Sequence, residues 1–289
     1  MSSLSNIGQV KAILARHNLQ LLKGLGQNFL VNPSVCPRMA EACGAQACRG
    51  VIEIGPGIGV LTWELAQRAQ KVVAIELDQR LFPVLEETLA GLDHVELVHG
   101  DVMKLNLRRL IRDKFGGGPV CVCANLPYYI TTPVIMGLLE GDLPLTSITV
   151  MIQKETAQRL CAPPGVRACG AVSAGIHYRS QPKILFEVSR GSFLPPPKVD
   201  SAVIRFQIRE EPAVQVKDEA LLFRVVRGAF AQRRKTAVNS LCHALNLEKG
   251  RAEALMAGAG VRQGARAEEL TLAQLAAVAD GLYELETGE

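Results

Sequence analysis

VIEIGPGIG, residues 51–59, reads as a β-strand that runs straight into a glycine-rich turn. Val51 to Ile54 form an apolar run broken by one carboxylate, Glu53, and helical spacing follows over Leu61 to Arg68. Glycine at 55, 57 and 59 lets the chain turn tightly and lets a ligand approach the main chain, while the start of the following helix offers unpaired N–H groups. Outward from this stretch, the apolar runs Val72 to Ile75, Val95 to Val98, Val120 to Ala124 and Ile148 to Ile152 alternate with helical patterns such as Leu81, Val84, Leu85, Thr88 and Leu89. Strands that are continuously apolar, rather than alternating, belong to a parallel sheet covered on both faces by helices. The expected fold class is therefore doubly wound α/β.

The pattern changes after Pro163-Pro164-Gly165. Ile184 to Val188 and Ser201 to Ile208 read as strands of an antiparallel edge hairpin, the second alternating Ala202, Ile204, Phe206 and Ile208 with Val203, Arg205 and Gln207. Beyond Glu210-Glu211-Pro212 only helical stretches rich in Ala, Leu and Arg remain. The expected division is a large domain over 1–210, opening with a helix over Ile7 to Leu22 and a loop over Lys23 to Leu30, and a small helical domain over 211–289. Hydrophobic residues at 48% and charged residues at 21% of 289 are ordinary for a globular chain, which excludes disorder. A net charge of +4 permits a nucleic-acid partner but is too small to argue for one, so the placement of Lys and Arg must decide. The eight cysteines show no Cys-x-x-Cys spacing, and no apolar run approaches the roughly 20 residues that span a bilayer. A cytoplasmic protein with reduced thiols, no membrane association and no metal site is expected.

Gly59 follows Gly57 by two positions, whereas a dinucleotide fingerprint needs three. The turn instead suits a nucleoside that carries no pyrophosphate, held at Gly55 and Gly57. Glu76 ends the second strand, where a carboxylate can accept both hydroxyls of a ribose, and Asp101 ends the third, where it can accept from an adenine amine. Together they point to S-adenosylmethionine.

Asn125-Leu126-Pro127-Tyr128-Tyr129-Ile130 closes the fourth strand at the same edge. An adenine amine is a poor nucleophile because its lone pair is delocalised into the ring. Two acceptors, the Asn125 side-chain oxygen and the Leu126 carbonyl, would draw that pair out of conjugation, with Pro127 fixing the turn. Tyr128 would stack on the target base, and Tyr129 is assigned to the core. The competing reading makes Asn125 an Asx-type turn and both tyrosines packing residues. Thr132-Pro133 has the form of a helix N-cap and first helical residue.

In these motifs the chain resembles the KsgA (RsmA) family of ribosomal RNA adenine N6,N6-dimethyltransferases. The likeness rests on Leu25-Gly26-Gln27-Asn28-Phe29-Leu30, Glu53-Ile54-Gly55-Pro56-Gly57, Glu76-Leu77-Asp78, Gly100-Asp101, Asn125-Leu126-Pro127-Tyr128, Gln153-Lys154-Glu155, the run Phe193 to Val203, and Phe230-Ala231-Gln232-Arg233-Arg234-Lys235-Thr236. The resemblance implies a Rossmann-like methyltransferase domain with a small helical domain behind it. It implies cofactor positions at Asn28, Leu30, Gly55, Glu76, Asp101 and Asn125, with Phe193 on the second face of the target adenine or, alternatively, packed as a core aromatic. It further implies a monomer acting on 16S rRNA of the assembling small subunit, at two adjacent adenosines in the terminal hairpin loop, each methylated twice. Arg233, Arg234 and Lys235 are candidates for phosphate contact, or else a solvated helix face. A large-subunit methyltransferase of the erythromycin-resistance type, and a non-catalytic RNA-binding factor on the same fold, are the alternatives. No general base is nominated, because the methylated amine is acidic enough to lose its proton to water; His94 and His99 are read as surface or packing residues.

Overall fold

A computed structural model describes residues 3–20 and 26–288; the expectations that fall on Leu21 to Leu25 lie outside it. Nine strands are described: β1 (Phe29–Leu30), β2 (Gly50–Ile54), β3 (Val72–Glu76), β4 (Val95–His99), β5 (Val120–Asn125), β6 (Leu145–Gln153), β7 (Ser180–Val188), β8 (Phe193–Leu194) and β9 (Ser201–Ile208). Among them run α1 (Ile7–Arg16), α2 (Val35–Ala42), α3 (Val60–Ala66), α4 (Phe82–Thr88), α5 (Leu107–Phe115), α6 (Thr131–Glu140), α7 (Lys154–Cys161) and α8 (Ala171–Arg179). After them come α9 (Glu219–Phe230), α10 (Ala237–Leu245), α11 (Lys249–Gly258) and α12 (Leu272–Thr287). The expected first helix is shorter than its periodicity suggested, stopping at Arg16, where Asn18 turns into the left-handed region at φ +48°.

Seven strands form one sheet in the order β4-β3-β2-β5-β6-β9-β7. The five from β4 to β6 are parallel, and β9 runs antiparallel to β6, with Met151 opposite Val203. The chain builds outward from β2 through β3 to β4, then returns to the other side of β2 with β5. Strand order therefore reverses between β2 and β5, where an open α/β sheet leaves a crevice beyond its carboxyl edge. β2, β3 and β5 are buried almost throughout, so their continuous Val, Ile and Cys runs have apolar neighbours on both faces. The core includes Val10, Met39, Val51, Leu65, Val84 and Leu85, each worth roughly 1.5 to 3 kcal/mol when fully removed from water.

The chain divides into two compact units, one of residues 1–157 and 183–208, the other of 158–182 and 209–289. The second unit thus takes in a stretch well before the change of pattern at 210. In it α9 packs with α10 and α12 around Leu222, Val225, Leu241 and Leu275. Tyr178 joins this cluster edge-on to Phe223 at 5.3 Å between ring centroids, with the Arg179 guanidinium 4.4 Å from the Phe223 centroid. Cys169 is buried there as well. All eight cysteines are free thiols. No described helix is long and apolar enough to cross a membrane.

Candidate active site

A cleft open to solvent lies beyond the carboxyl edge of the sheet at the reversal point. Asn28, Leu30, Gly55, Gly57, Glu76, Asp101, Asn125, Leu126, Pro127, Tyr128 and Phe193 all line it. Residues from six separate stretches of chain are thereby brought to one place. Part of the wall is a two-stranded ladder in which β1 pairs antiparallel with β8, setting Leu30 opposite Phe193.

At Gly55 the backbone has φ +69°, and a side chain there would point into open space within the cleft. At Gly57, with φ +61°, an added Cβ would come within 3.1 Å of the Phe29 ring. Glycine is required at 57 on both counts, whereas at 55 its absence of a side chain keeps room for a ligand. Glu76 is buried; its Oε1 accepts the Asp78 N–H at 2.7 Å. Burial raises its pKa, and backbone N–H groups of Asp78, Gly57 and Leu77 counter the rise. Asp101 accepts the Met103 N–H at 3.0 Å, and Lys104 stands 3.6 Å from its other oxygen. Gln27 donates to Asp78 at 2.9 Å, which ties the segment around Asn28 to the end of β3.

Glu53 received no role from the sequence. It is 1% exposed on β2 and lines the cleft, and among the described residues its Oε2 has no hydrogen-bond partner. Desolvation pushes its pKa up to about 8, and the nearby Glu76 carboxylate adds to the rise. The signal that could have found it was a single carboxylate inside an otherwise apolar strand. An orphaned buried acceptor and the open space at Gly55 both fit a cationic nucleoside such as S-adenosylmethionine.

Asn125 ends β5, and its Nδ2 donates to the Asn28 carbonyl at 3.4 Å. That commitment leaves Oδ1 as the side chain's acceptor, and among the described residues no donor is bonded to it. Leu126 is buried and its N–H donates to the Met151 carbonyl at 3.2 Å. The Pro127 carbonyl accepts from Ile130 N–H at 3.2 Å and from the Thr131 hydroxyl at 3.2 Å, which closes the turn. The helix begins two residues earlier than expected, at Thr131 with Ile130 as its cap, and the Thr131 hydroxyl bond fastens its first turn. Tyr128 is half-buried, its hydroxyl 2.8 Å from that of Ser201. Tyr129 departs from expectation: it is 57% exposed and stands at the cleft mouth, not in the core, because the 127–130 turn carries it outward. Phe193 is 4% exposed and yet lines the cleft, so it both packs in the core and faces the site.

In the second unit Arg233, Arg234 and Lys235 lie in the loop between α9 and α10, not on a helix face. All three are exposed, and among the described residues no carboxylate pairs with them, in contrast to Arg224, which approaches Glu286 at 3.7 Å. His94 and His99 are structural, with Nε2 at 2.8 Å from the Ala66 carbonyl and 3.2 Å from the Leu77 carbonyl respectively.

The family model described as "Ribosomal RNA adenine dimethylase" matches residues 18–283. A protein of Alkaliphilus oremlandii named "Ribosomal RNA small subunit methyltransferase A" is 42% identical over 98% of this chain and 99% of its own length. One of Shouchella clausii with the same name is 44% identical over 95% of this chain and 94% of its own. Among solved structures, the 23S rRNA methyltransferase ErmE matches with a TM-score of 0.70 and 28% identity, over 89% of this chain and 100% of that one. A dimethyladenosine transferase of Plasmodium falciparum matches with a TM-score of 0.71 over 90% and 98%, and at 23% identity speaks for the shared Rossmann-like methyltransferase fold alone.

Proposed function

The chain belongs to the ribosomal RNA adenine dimethylase family and is an rRNA adenine dimethyltransferase; on that premise we propose that it dimethylates the N6 amines of two adjacent adenosines in the terminal hairpin loop of 16S rRNA, using S-adenosylmethionine. The observation that carries this reading is the convergence of Glu76, Asp101 and Asn125 on one cleft at the strand-order reversal. S-adenosylmethionine supplies an electrophilic methyl group when bound. Glu76 would accept the ribose hydroxyls, Asp101 the adenine amine, and Asn28, Leu30, Gly55 and Gly57 would hold the remainder. The Asn125 Oδ1 and the Leu126 carbonyl accept the two N–H bonds of the target amine and draw its lone pair out of the ring. Tyr128, braced at its hydroxyl by Ser201, and Phe193 hold the base by its faces. After the first transfer only one N–H remains, so stacking rather than hydrogen-bond count must retain the base. Unpaired loop bases are the ones that can be splayed into such a site.

The exposed Arg233, Arg234 and Lys235, in a helical domain over 211–289 that we assign to RNA binding, support phosphate contact. Replacing all three with Ala is expected to lower the salt slope of RNA binding by up to about 2 to 3, the loss of that many phosphate contacts. A monomeric, cytoplasmic, metal-independent enzyme is the accompanying proposal. The likeness to ErmE favours large-subunit RNA as the second reading, against which stand the relatives named for the small subunit. Purified protein given each undermethylated subunit decides: N6-dimethyladenosine is expected at four methyl groups per small-subunit RNA by mass spectrometry, and its appearance only in large-subunit RNA would overturn the proposal.

Glu76→Ala tests the cofactor assignment separately. A hydrogen bond to a charged group is worth about 1.5 to 3 kcal/mol, so affinity for S-adenosylmethionine is expected to fall by roughly 10- to 100-fold in calorimetry. Unchanged affinity would remove Glu76 from the ribose site.

A further inference from the structure

We infer that Tyr129 is a stacking platform for the nucleobase next to the one being methylated. Aromatic residues make up only 4% of this chain, and most are at least partly buried, so a tyrosine with 57% of its surface exposed stands apart. It follows directly on the Asn125-to-Tyr128 clamp and lines the cleft at its mouth. Its ring lies over Gly26, with Cδ1 and Cε1 3.6 Å from where a side chain at that position would begin. The ring is thus supported from one side by a residue with no side chain. Among the described residues its hydroxyl makes no hydrogen bond, so nothing polar accounts for its position. Tyr128, which also lines the cleft, is half-buried and tied to Ser201.

Extruding a base breaks its stacking on the next one in the strand. When one of two adjacent bases enters the cleft, the other is left at the mouth with a bare face. An exposed ring one residue beyond the clamp offers a sequence-tolerant replacement for that contact. Leu77 and Met103, each 48% exposed, follow β3 and β4 along the same edge, but they are aliphatic and follow the carboxylates assigned to the cofactor. Tyr129 follows the strand that carries the target clamp. This role rests on the proposed function, namely a target adenosine with an unpaired neighbour.

The experiment measures kcat and RNA KM on small-subunit particles lacking the methyl groups, together with cofactor Kd by calorimetry. Tyr129→Ala is expected to raise the RNA KM roughly tenfold, a loss within the range that stacking on one aromatic side chain supplies, with kcat and cofactor Kd unchanged. Tyr129→Phe keeps the ring and is expected to keep the wild-type KM. An unchanged KM in Tyr129→Ala overturns the inference. So does a Tyr129→Phe variant as impaired as the alanine one, since the hydroxyl would then be the active part. A parallel loss of cofactor affinity would make the ring part of the cofactor wall instead. Wild-type protein that transfers no methyl group to particle RNA would remove the proposed function and this role with it, whereas wild-type transfer with an unaltered Tyr129→Ala variant removes this role alone.

Discussion

Asn125→Ala is expected to lower the rate of methyl transfer at saturating RNA and cofactor by about 10²- to 10³-fold, while particle binding stays close to that of the unaltered enzyme. The magnitude follows from what deleting one preorganised hydrogen-bonding group costs when it acts where charge is redistributed in the transition state. Asn125 can act in this way because its amide is already oriented: Nδ2 is engaged by the Asn28 carbonyl at 3.4 Å, which turns Oδ1 toward duty as an acceptor. The Leu126 carbonyl, fixed by the Met151 contact of its own N–H and by the turn at Pro127, cannot replace it alone. Binding is carried by other groups, so it is the rate at saturation that falls. Single-turnover kinetics alongside filter binding checks this. Equal losses in transfer and in binding would mean that the motif is scaffold.

Glu53→Gln is expected to change how stability depends on pH. The Glu53 carboxyl has an ordinary value of 4.5 and is pushed up to about 8 by burial in the folded protein. Between those values the folded chain holds a proton that the unfolded chain has released. Stability therefore falls as pH rises across that window, by at most about 1.4 kcal/mol per unit, and the full penalty, on the order of 5 kcal/mol, is present above about pH 8. Below about 4.5 both states are protonated and the contribution vanishes. Glutamine has no proton to lose, so denaturant midpoints of the unliganded variant should decline less from pH 5 to 9 than those of the unaltered protein. Parallel pH profiles for the two would show that Glu53 is solvated or paired in solution.

Much of this is legible in the amino-acid sequence alone. The apolar runs at 72–75 and 120–124, and that at 51–54 broken only by Glu53, are parallel strands because burial on both faces leaves no polar alternation, whereas the run at 95–98 is the half-buried edge strand and carries Glu96. The glycine turn and the residues that end each strand were readable for the same reason, since a parallel sheet puts every carboxyl end on one edge. Tyr129 was misread because nothing local distinguishes it from Tyr128. Both are tyrosines in one turn, and the folded chain sets one against Ser201 and leaves the other exposed. Arg233 to Lys235 likewise carry a charge that the sequence announces and a loop conformation that it does not.

Residue types and their spacing by themselves determined the sheet, its direction and the chemistry available at its edge, because burial on two faces and tight turns leave a local imprint on the chain. Only the tertiary structure decided that Leu30 faces Phe193, that Glu53 lacks a partner and that residues 158–182 belong with the C-terminal helices. Each of these depends on which distant segments meet, and pairing across more than a hundred residues is set by the packing of the whole rather than by any periodicity within a segment.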